Sequence, residues 1–143
     1  MNMKLTQPSF EAKEPVKSVV TSPKPQAFVY IRVSTDEQKK GYSPDNQIRQ
    51  AREFAKMHDY QIKRVFDDSG KSGRSAEKRP ELQELLRAID EHPVNTVIIY
   101  KIDRFARNVN DFSRMYNDFK TKGIKLLSIN EGDLMEGNSL IPN

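Results

Sequence analysis

Hydroxyl, carboxylate and guanidinium groups recur in two short segments of this sequence. The first segment, Arg32–Gln38 (RVSTDEQ), places Ser34 two residues after an arginine. The second segment, Lys101–Arg107 (KIDRFAR), places Asp103 beside two further arginines. Arginine forks bind phosphate well, and a hydroxyl in their positive field can attack phosphorus. These residue types therefore indicate phosphodiester chemistry, in which the arginines hold the charge that grows in the transition state.

Ser34 also has a purely structural interpretation. Ser34-x-x-Glu37 matches a capping box at the start of a helix, and Thr35-x-x-Gln38 matches the same motif one residue later. The spacing alone favours a cap, and it leaves a chemical role open because one hydroxyl can serve both purposes.

The segment around Asp103 could likewise be the start of a helix. Asp103 would then be the N-cap and would form an exposed ion pair with Arg107, worth about 0.3–0.5 kcal/mol. Arg104 and Arg107 would share one face of the first turn because they are three residues apart. Two arginines there oppose the helix dipole, and a local rule broken at a predicted active end often marks function.

The hydrophobic pattern places these segments between strands and helices. Apolar and alternating runs predict strands over residues 27–33, 60–66, 96–102 and 124–129. Apolar residues at helical spacing predict helices over residues 43–58, 80–91 and 109–122.

This alternation predicts an α/β fold: a mostly parallel open sheet of four to five strands with helices on both faces, a Rossmann-like three-layer arrangement. Ligand sites of such sheets lie at the carboxyl ends of the strands. That rule selects the loops 32–42, 67–79 and 103–108. The second loop is rich in glycine, serine and basic residues, and most of it is expected to be a mobile surface loop.

Composition limits the alternatives. The chain has 143 residues, 36% of them hydrophobic, and a net charge of +4, which tolerates an anionic partner without requiring one. It has no cysteine, which excludes disulfides, thiolate metal sites and a cysteine nucleophile. Its two histidines cannot form a multi-histidine metal centre. No P-loop, G-x-S-x-G or G-x-G-x-x-G motif occurs, and no apolar run reaches the roughly 18 residues of a membrane span.

The proline-rich N-terminal stretch, residues 1–26, is predicted to be a disordered tail. The folded domain is predicted over residues 27–143.

Three motifs resemble those of the catalytic domain of the serine site-specific recombinases, which comprise resolvases, invertases and phage-type integrases. The motifs are Tyr30-x-Arg32-Val33-Ser34-Thr35-x-x-Gln38, Asp68-x-Gly70-x-Ser72-Gly73 before Arg79-Pro80, and Lys101-Ile102-Asp103-Arg104-x-x-Arg107. The resemblance runs from about residue 27 to residue 130. The segment Gly41–Gln47 (GYSPDNQ) makes it closer to large integrases and transposon recombinases than to small resolvases.

The resemblance implies a role for each motif residue. Ser34 would be the nucleophile that joins to a DNA 5′-phosphate and releases a 3′-hydroxyl, and Asp103 would be the active-site aspartate. The residues that bind the scissile phosphate would be Arg32, Arg104 and Arg107. The supporting residues of the site would be Tyr30, Gln38, Gln47, Ser69, Arg79 and Lys101.

The resemblance also implies what the protein works with. It implies double-stranded DNA as the partner, dimers that pair into a tetramer on DNA, no cofactor and no metal. The expected location is the cytoplasm, on bacterial nucleoid DNA. Family members continue into a long dimerisation helix and DNA-binding domains, which these 143 residues lack, so a catalytic-domain fragment is expected.

Two other functions are compatible with the architecture alone. The first is a non-catalytic receiver-like or flavodoxin-like module. A receiver needs an acidic pair where this first strand ends in Arg32 and Ser34, and a flavin site needs a glycine loop that Arg32–Gln38 lacks. The second is an inactive DNA-binding regulator derived from a recombinase, which the presence of every expected catalytic position disfavours.

Overall fold

The sheet of this protein has five strands, seen in a computed structural model that describes residues 24–71 and 73–135. The strands are β1 (Gln26–Ile31), β2 (Gln61–Asp67), β3 (Thr96–Ile99), β4 (Lys125–Ser128) and β5 (Gly132–Asp133). Their order is β2-β1-β3-β4-β5. All neighbouring pairs are parallel except β4 and β5. The predicted mostly parallel sheet of four to five strands is therefore confirmed.

Six helices lie within the described residues. They are α1 (Thr35–Lys39), α2 (Pro44–Met57), α3 (Gly73–Lys78), α4 (Pro80–Ile89), α5 (Ile102–Phe105) and α6 (Val109–Lys122). The three long helices were all predicted, and α6 ends where Gly123 adopts the left-handed φ of 73° that glycine tolerates. The three short helices lie where loops or strand ends were predicted. One or two turns hold too few apolar positions for helical periodicity to be recognised.

The bounds of all four predicted strands differ from the prediction, by up to three residues at either end. β3 was predicted to reach Ile102 but stops at Ile99, because Ile102 is the first residue of α5. A continuous apolar run does not show where a strand ends and a helix begins. β1 begins at Gln26, which pairs with Gln61 of β2, so the sheet starts one residue before the predicted domain boundary. Residues 1–23 of the predicted tail lie outside the described residues. So do Ser72 and residues 136–143.

Side chains of β1 alternate between two cores. Phe28 and Tyr30 belong to the core under α4 and α6, whereas Val29 and Ile31 belong to the core under α2. All of these side chains are buried, as expected for a central strand covered on both faces. The predicted helices on both faces are thus confirmed.

The connections of β1 and β3 create a crevice at one end of the sheet. The chain leaves β1 for α2 on one face and leaves β3 for α6 on the other, although the two strands are direct neighbours. Diverging connections open a crevice at the carboxyl ends of such strands. The residues that follow Ile31 and Ile99 therefore meet there. None of the described helices is long and apolar enough to cross a membrane.

Candidate active site

Ser34 is the N-cap of α1, directly beyond the end of β1. Its Oγ accepts a hydrogen bond from the Glu37 backbone N–H at 3.1 Å, and its own N–H donates to Glu37 Oε1 at 2.9 Å. The capping box predicted at Ser34 is therefore confirmed, whereas Thr35 is the first residue of the helix and not its cap. A serine hydroxyl has one donor and two acceptor sites, so this cap leaves the hydroxyl proton available.

Arg32 ties the end of β1 to the turn after β3. Its Nε donates to the Arg104 carbonyl at 3.2 Å, and its second terminal nitrogen donates to the Asp103 carbonyl at 2.9 Å. These bonds cross a gap of more than 70 residues in sequence. Arg32 thus fixes α5 relative to Ser34.

The guanidinium of Arg104 lies between two carboxylates. One terminal nitrogen donates to Asp103 Oδ1 at 2.9 Å, and the other donates to Glu37 Oε2. The side chain is 18% exposed, and its Nε is buried without a hydrogen-bond partner. An unsatisfied buried donor costs about 1–3 kcal/mol, which native folds usually avoid away from functional sites.

Glu37 brings the candidate nucleophile and this arginine together. Its two carboxylate oxygens contact the Ser34 N–H and the Arg104 guanidinium, one each. Burial acts to raise the pKa of Glu37, but the hydrogen bonds from Ser34 and the charge of Arg104 outweigh it and hold that pKa below its ordinary value. Glu37 is therefore ionised at neutral pH.

Asp103 and Arg107 do not form the arrangement that spacing predicted. The N-cap of α5 is Lys101, and Asp103 lies inside the helix, where it pairs with Arg104 instead of Arg107. The backbone turns extended at Ala106 (φ −121°, ψ 144°), so Arg107 lies beyond α5 and shares no helical face with Arg104. The alternative in which Asp103 caps a helix and pairs with Arg107 is therefore wrong, and so is a shared helical face for the two arginines.

Arg107 is exposed, and both its backbone N–H and its side chain form hydrogen bonds. Its N–H donates to Asp111 Oδ2 at 2.9 Å, and one terminal nitrogen reaches the Glu77 carbonyl of α3 at 3.1 Å. Arg107 follows β3 and α5 in the chain, at the carboxyl end of the sheet. Asp111 was not recognised in the sequence.

Arg79 lies in the protein interior beneath this turn. Its guanidinium is 3% exposed and donates to the Phe105 carbonyl at 2.5 Å and to Asp111 Oδ2 at 3.0 Å. Its backbone is left-handed, with φ 45°. The sequence suggested a supporting role in phosphate binding. In this structure Arg79 stabilises the turn between α5 and α6. The ion pair between Arg79 and Asp111 would have to break before Arg79 could contact DNA.

Replacing Asp111 with alanine is expected to destabilise the domain by about 3–5 kcal/mol, because the Arg79 charge would stay buried without a partner. Urea denaturation measures this loss. Asp118→Ala on the same helix is the control, since Asp118 is half-exposed and forms an exposed pair with Lys122. Equal stabilities of the two variants would contradict a buried ion pair.

The same pair should make stability depend on pH. Burial acts to raise the pKa of Asp111, but the Arg107 N–H and Arg79 outweigh it, so the folded-state pKa lies below the ordinary aspartate value. Its stabilising contribution is then present above the unfolded-state pKa and is lost as pH falls through the folded-state pKa. The wild-type advantage over Asp111→Ala should shrink on acidification.

Tyr30 and Asp68 secure the start of α4. The Tyr30 hydroxyl donates to Asp68 Oδ2 at 2.7 Å, and Asp68 also accepts from the N–H groups of Glu81 and Leu82 at 2.9 and 3.0 Å. Burial, followed by the neighbouring Asp68 carboxylate, raises the pKa of Tyr30, so the phenol stays a donor. Both side chains are buried, so they stabilise the start of α4 from the protein interior and are not available to contact DNA directly.

The other four predicted supporting residues lie at different places. Ser69 Oγ accepts from the Val33 N–H at 2.9 Å and so fixes the backbone just before Ser34. Gln38 is exposed on α1 beside Gly70, and Lys101 lies 3.9 Å from Asp103 Oδ2. Gln47 is buried on α2, and its Oε1 has no hydrogen-bond partner.

Glu131 is a further residue of the site that the sequence did not reveal. Its Oε1 accepts from the Ile102 N–H at 3.1 Å and from Ser128 Oγ. It therefore caps α5 in place of Lys101, which forms no side-chain cap. No local motif could have indicated this cap, because it comes from 29 residues away.

Residues 27–140 match the family model described as "Resolvase, N terminal domain". The Transposon Tn501 resolvase of Pseudomonas aeruginosa is 31% identical over 108 residues, which are 76% of this chain and 49% of that protein. The Transposon Tn552 DNA-invertase BinR of Staphylococcus aureus is 27% identical over 111 residues, 77% of this chain and 50% of that protein. The chain thus spans about half the length of these curated relatives.

Two solved structures share the fold. A resolvase family site-specific recombinase from Streptococcus pneumoniae superposes with a TM-score of 0.70 at 33% identity, covering 79% of this chain and 78% of that one. The N-terminal catalytic domain of TP901-1 integrase gives 0.64 at 34% identity, covering 75% and 78%. None of these similarities favours a receiver-like module or an inactive regulator. The chain belongs to the resolvase family, and its folded part is the N-terminal domain of that family.

Proposed function

We propose that this domain cleaves and rejoins DNA strands by transesterification, with Ser34 as the nucleophile. The observation that carries the proposal is that one carboxylate, Glu37, contacts both Ser34 and Arg104. The backbone N–H of the serine and the guanidinium of the arginine are thereby joined to one carboxylate at the carboxyl end of the sheet. A phosphate group is an oxyanion of comparable size, and it would meet both groups there.

The reaction would proceed by exchange of one phosphodiester for another. Ser34 Oγ would form a bond to phosphorus while the bond from phosphorus to the 3′-oxygen breaks. The serine proton would be lost, and the departing 3′-oxygen would take up a proton, which leaves a 5′-phosphoserine and a 3′-hydroxyl. Attack by another 3′-hydroxyl would reverse these steps and reseal the strand. No nucleotide cofactor is needed, because the two ester bonds are similar in energy.

Three arginines would bind the scissile phosphate in this proposal. Arg104 is linked to Ser34 through the Glu37 carboxylate, which contacts the guanidinium of one residue and the backbone N–H of the other. Arg32 is oriented by the two carbonyls that it contacts, and Arg107 is exposed beyond α5. Asp103 would orient Arg104, whose terminal nitrogen lies 2.9 Å from Asp103 Oδ1. Such preorganised donors stabilise the charge that develops on the phosphoryl oxygens.

The partners follow from the same proposal. Double-stranded DNA would be the substrate, in keeping with relatives named as transposon resolvases and a DNA invertase. Dimers that pair into tetramers on DNA, and action on nucleoid DNA in the cytoplasm, belong to this proposal as well. Among the described residues, no group of three or more His, Cys, Asp or Glu side chains could hold a metal ion.

The proposed reaction is tested by cleavage in the presence of EDTA. The natural full-length protein is incubated with DNA carrying its recombination site, and the reaction is stopped with detergent. We expect protein attached to the 5′ end of the cut strand and a free 3′-hydroxyl, with and without the chelator, because guanidiniums supply the positive charge. Adducts that disappear with EDTA and return with magnesium would contradict the metal-free reaction. Cut DNA without attached protein would contradict the covalent one.

A further inference from the structure

Glu37 lies at the centre of the candidate site, yet its carboxylate has no role in the reaction described above. We propose that Glu37 is a positioning residue that holds the Arg104 guanidinium beside Ser34 in the free protein and yields it to a DNA phosphate when substrate binds. This inference rests on the proposed function, because it takes Arg104 as a ligand of the scissile phosphate.

Arg104 meets two carboxylates through its terminal nitrogens. One terminal nitrogen contacts Asp103, the other contacts Glu37, and the Nε is buried and has no hydrogen-bond partner. A guanidinium binds carboxylates and phosphates with the same forked geometry. A phosphate that binds Arg104 on its Ser34 side therefore competes with the Glu37 carboxylate for the terminal nitrogen that Glu37 contacts.

The position of Ser34 indicates that an incoming phosphate would replace Glu37 and not Asp103. Glu37 Oε1 is 2.9 Å from the Ser34 N–H, so a phosphate in the place of this carboxylate lies beside the nucleophile. Asp103 forms no hydrogen bond with Ser34 in the described part of the chain, and its side chain is 65% exposed. A phosphate that replaced Asp103 would gain the arginine without the hydroxyl.

The negative charge of Glu37 affects how tightly the site binds an anion. Glu37 is ionised at neutral pH, and its contact with Arg104 neutralises the guanidinium in the free protein. An anion must compete with this carboxylate and is repelled by it until Arg104 has changed partners. Glu37 therefore weakens anion binding while it keeps the arginine in place.

The test compares Glu37→Gln with Asp36→Asn in the 143-residue chain. Glutamine at this position of a capping box still offers an oxygen to the Ser34 N–H, so α1 should keep its cap. Asp36 is the exposed neighbour on the same helix, and its replacement removes the same charge. The probe is inorganic sulfate, titrated by NMR with the Ser34 backbone N–H and the Arg104 Nε–H as reporters.

We expect Glu37→Gln to bind sulfate about tenfold more tightly than wild type, the effect of removing one competing charge-assisted hydrogen bond. We expect Asp36→Asn to change the affinity by less than about twofold, since it contributes only a screened, longer-range charge. A residue that served merely as a helix cap would weaken binding when replaced. If Glu37→Gln melts well below wild type, the titrations of all variants are repeated at a temperature at which each is fully folded.

Arg104→Gln separates the failure of this inference from that of the proposed function. If sulfate binds Arg104→Gln as tightly as wild type, Arg104 is not an anion ligand and both proposals are wrong. If Arg104→Gln loses affinity while the Glu37 variants bind no more tightly than Asp36→Asn, only the role of Glu37 is overturned. The double variant Glu37→Gln/Arg104→Gln must lose the tenfold gain. A gain that persists without Arg104 would also overturn the exchange.

Discussion

Ser34→Ala is expected to abolish DNA cleavage and the covalent protein–DNA adduct, because it removes the hydroxyl that is proposed to attack phosphorus. Removal of the Ser34 cap should also cost about 1 kcal/mol of stability. Binding to the DNA site should remain nearly intact, since most of the affinity is expected from other parts of the full-length protein. The measurement is the yield of covalent adduct on a cognate site, with a gel-shift assay for binding.

Ser43→Ala is the matched control for this experiment. Ser43 is the N-cap of α2 and accepts from the Asn46 N–H at 3.1 Å, the same contact that Ser34 makes with Glu37. Its replacement should cost a similar stability and leave cleavage near the wild-type level. Covalent adducts formed by Ser34→Ala would disprove Ser34 as the nucleophile. An equal loss of activity in both variants would show that the cap, and not the hydroxyl chemistry, limits the reaction.

Arg104→Lys is expected to slow cleavage by at least about a hundredfold, the typical cost of losing one preorganised donor in a transition state. Lysine keeps the positive charge and can still approach Glu37 or Asp103. It lacks the planar fork that could hold a phosphate at two points while it also contacts Asp103. Single-turnover cleavage by the full-length protein measures the effect, and circular dichroism melting checks the fold.

Arg49→Lys is the corresponding control, because Arg49 is an exposed arginine on α2 that pairs with Glu53 across one helical turn. An exposed pair of this kind contributes less than about 1 kcal/mol, so the substitution should leave both cleavage and melting unchanged. If Arg104→Lys cleaves at nearly the wild-type rate with an unchanged melting temperature, charge alone suffices at this position. The forked contact with the phosphate would then be excluded.

Much of the fold follows from the sequence, because it depends on patterns of neighbouring residues. Apolar spacing identified the three long helices and the first four strands. The alternation of strands and helices indicated a parallel sheet and therefore the end of the sheet at which functional residues should lie. The Ser34 cap is also a local feature, since both of its hydrogen bonds join residues three apart.

The chemistry proposed for the candidate site was also predicted from local features. A serine and arginines that directly follow two predicted strands indicated phosphate chemistry without reference to any distant residue. The motifs around Ser34 and Asp103 then led to the family to which the chain belongs.

The sequence by itself thus determined the layers of the fold, and it predicted the edge of the sheet at which the candidate site lies and the types of group in it. The tertiary structure alone decided the partner of each arginine. Arg79 is buried against Asp111, and Arg104 lies against Glu37, at separations of 32 and 67 residues. Spacing suggested a shared helical face for two arginines, but α5 ends at Phe105. Spacing describes only neighbours within a few residues, whereas ion pairs form between side chains that the packing of α1, α4, α5 and α6 around the sheet brings together.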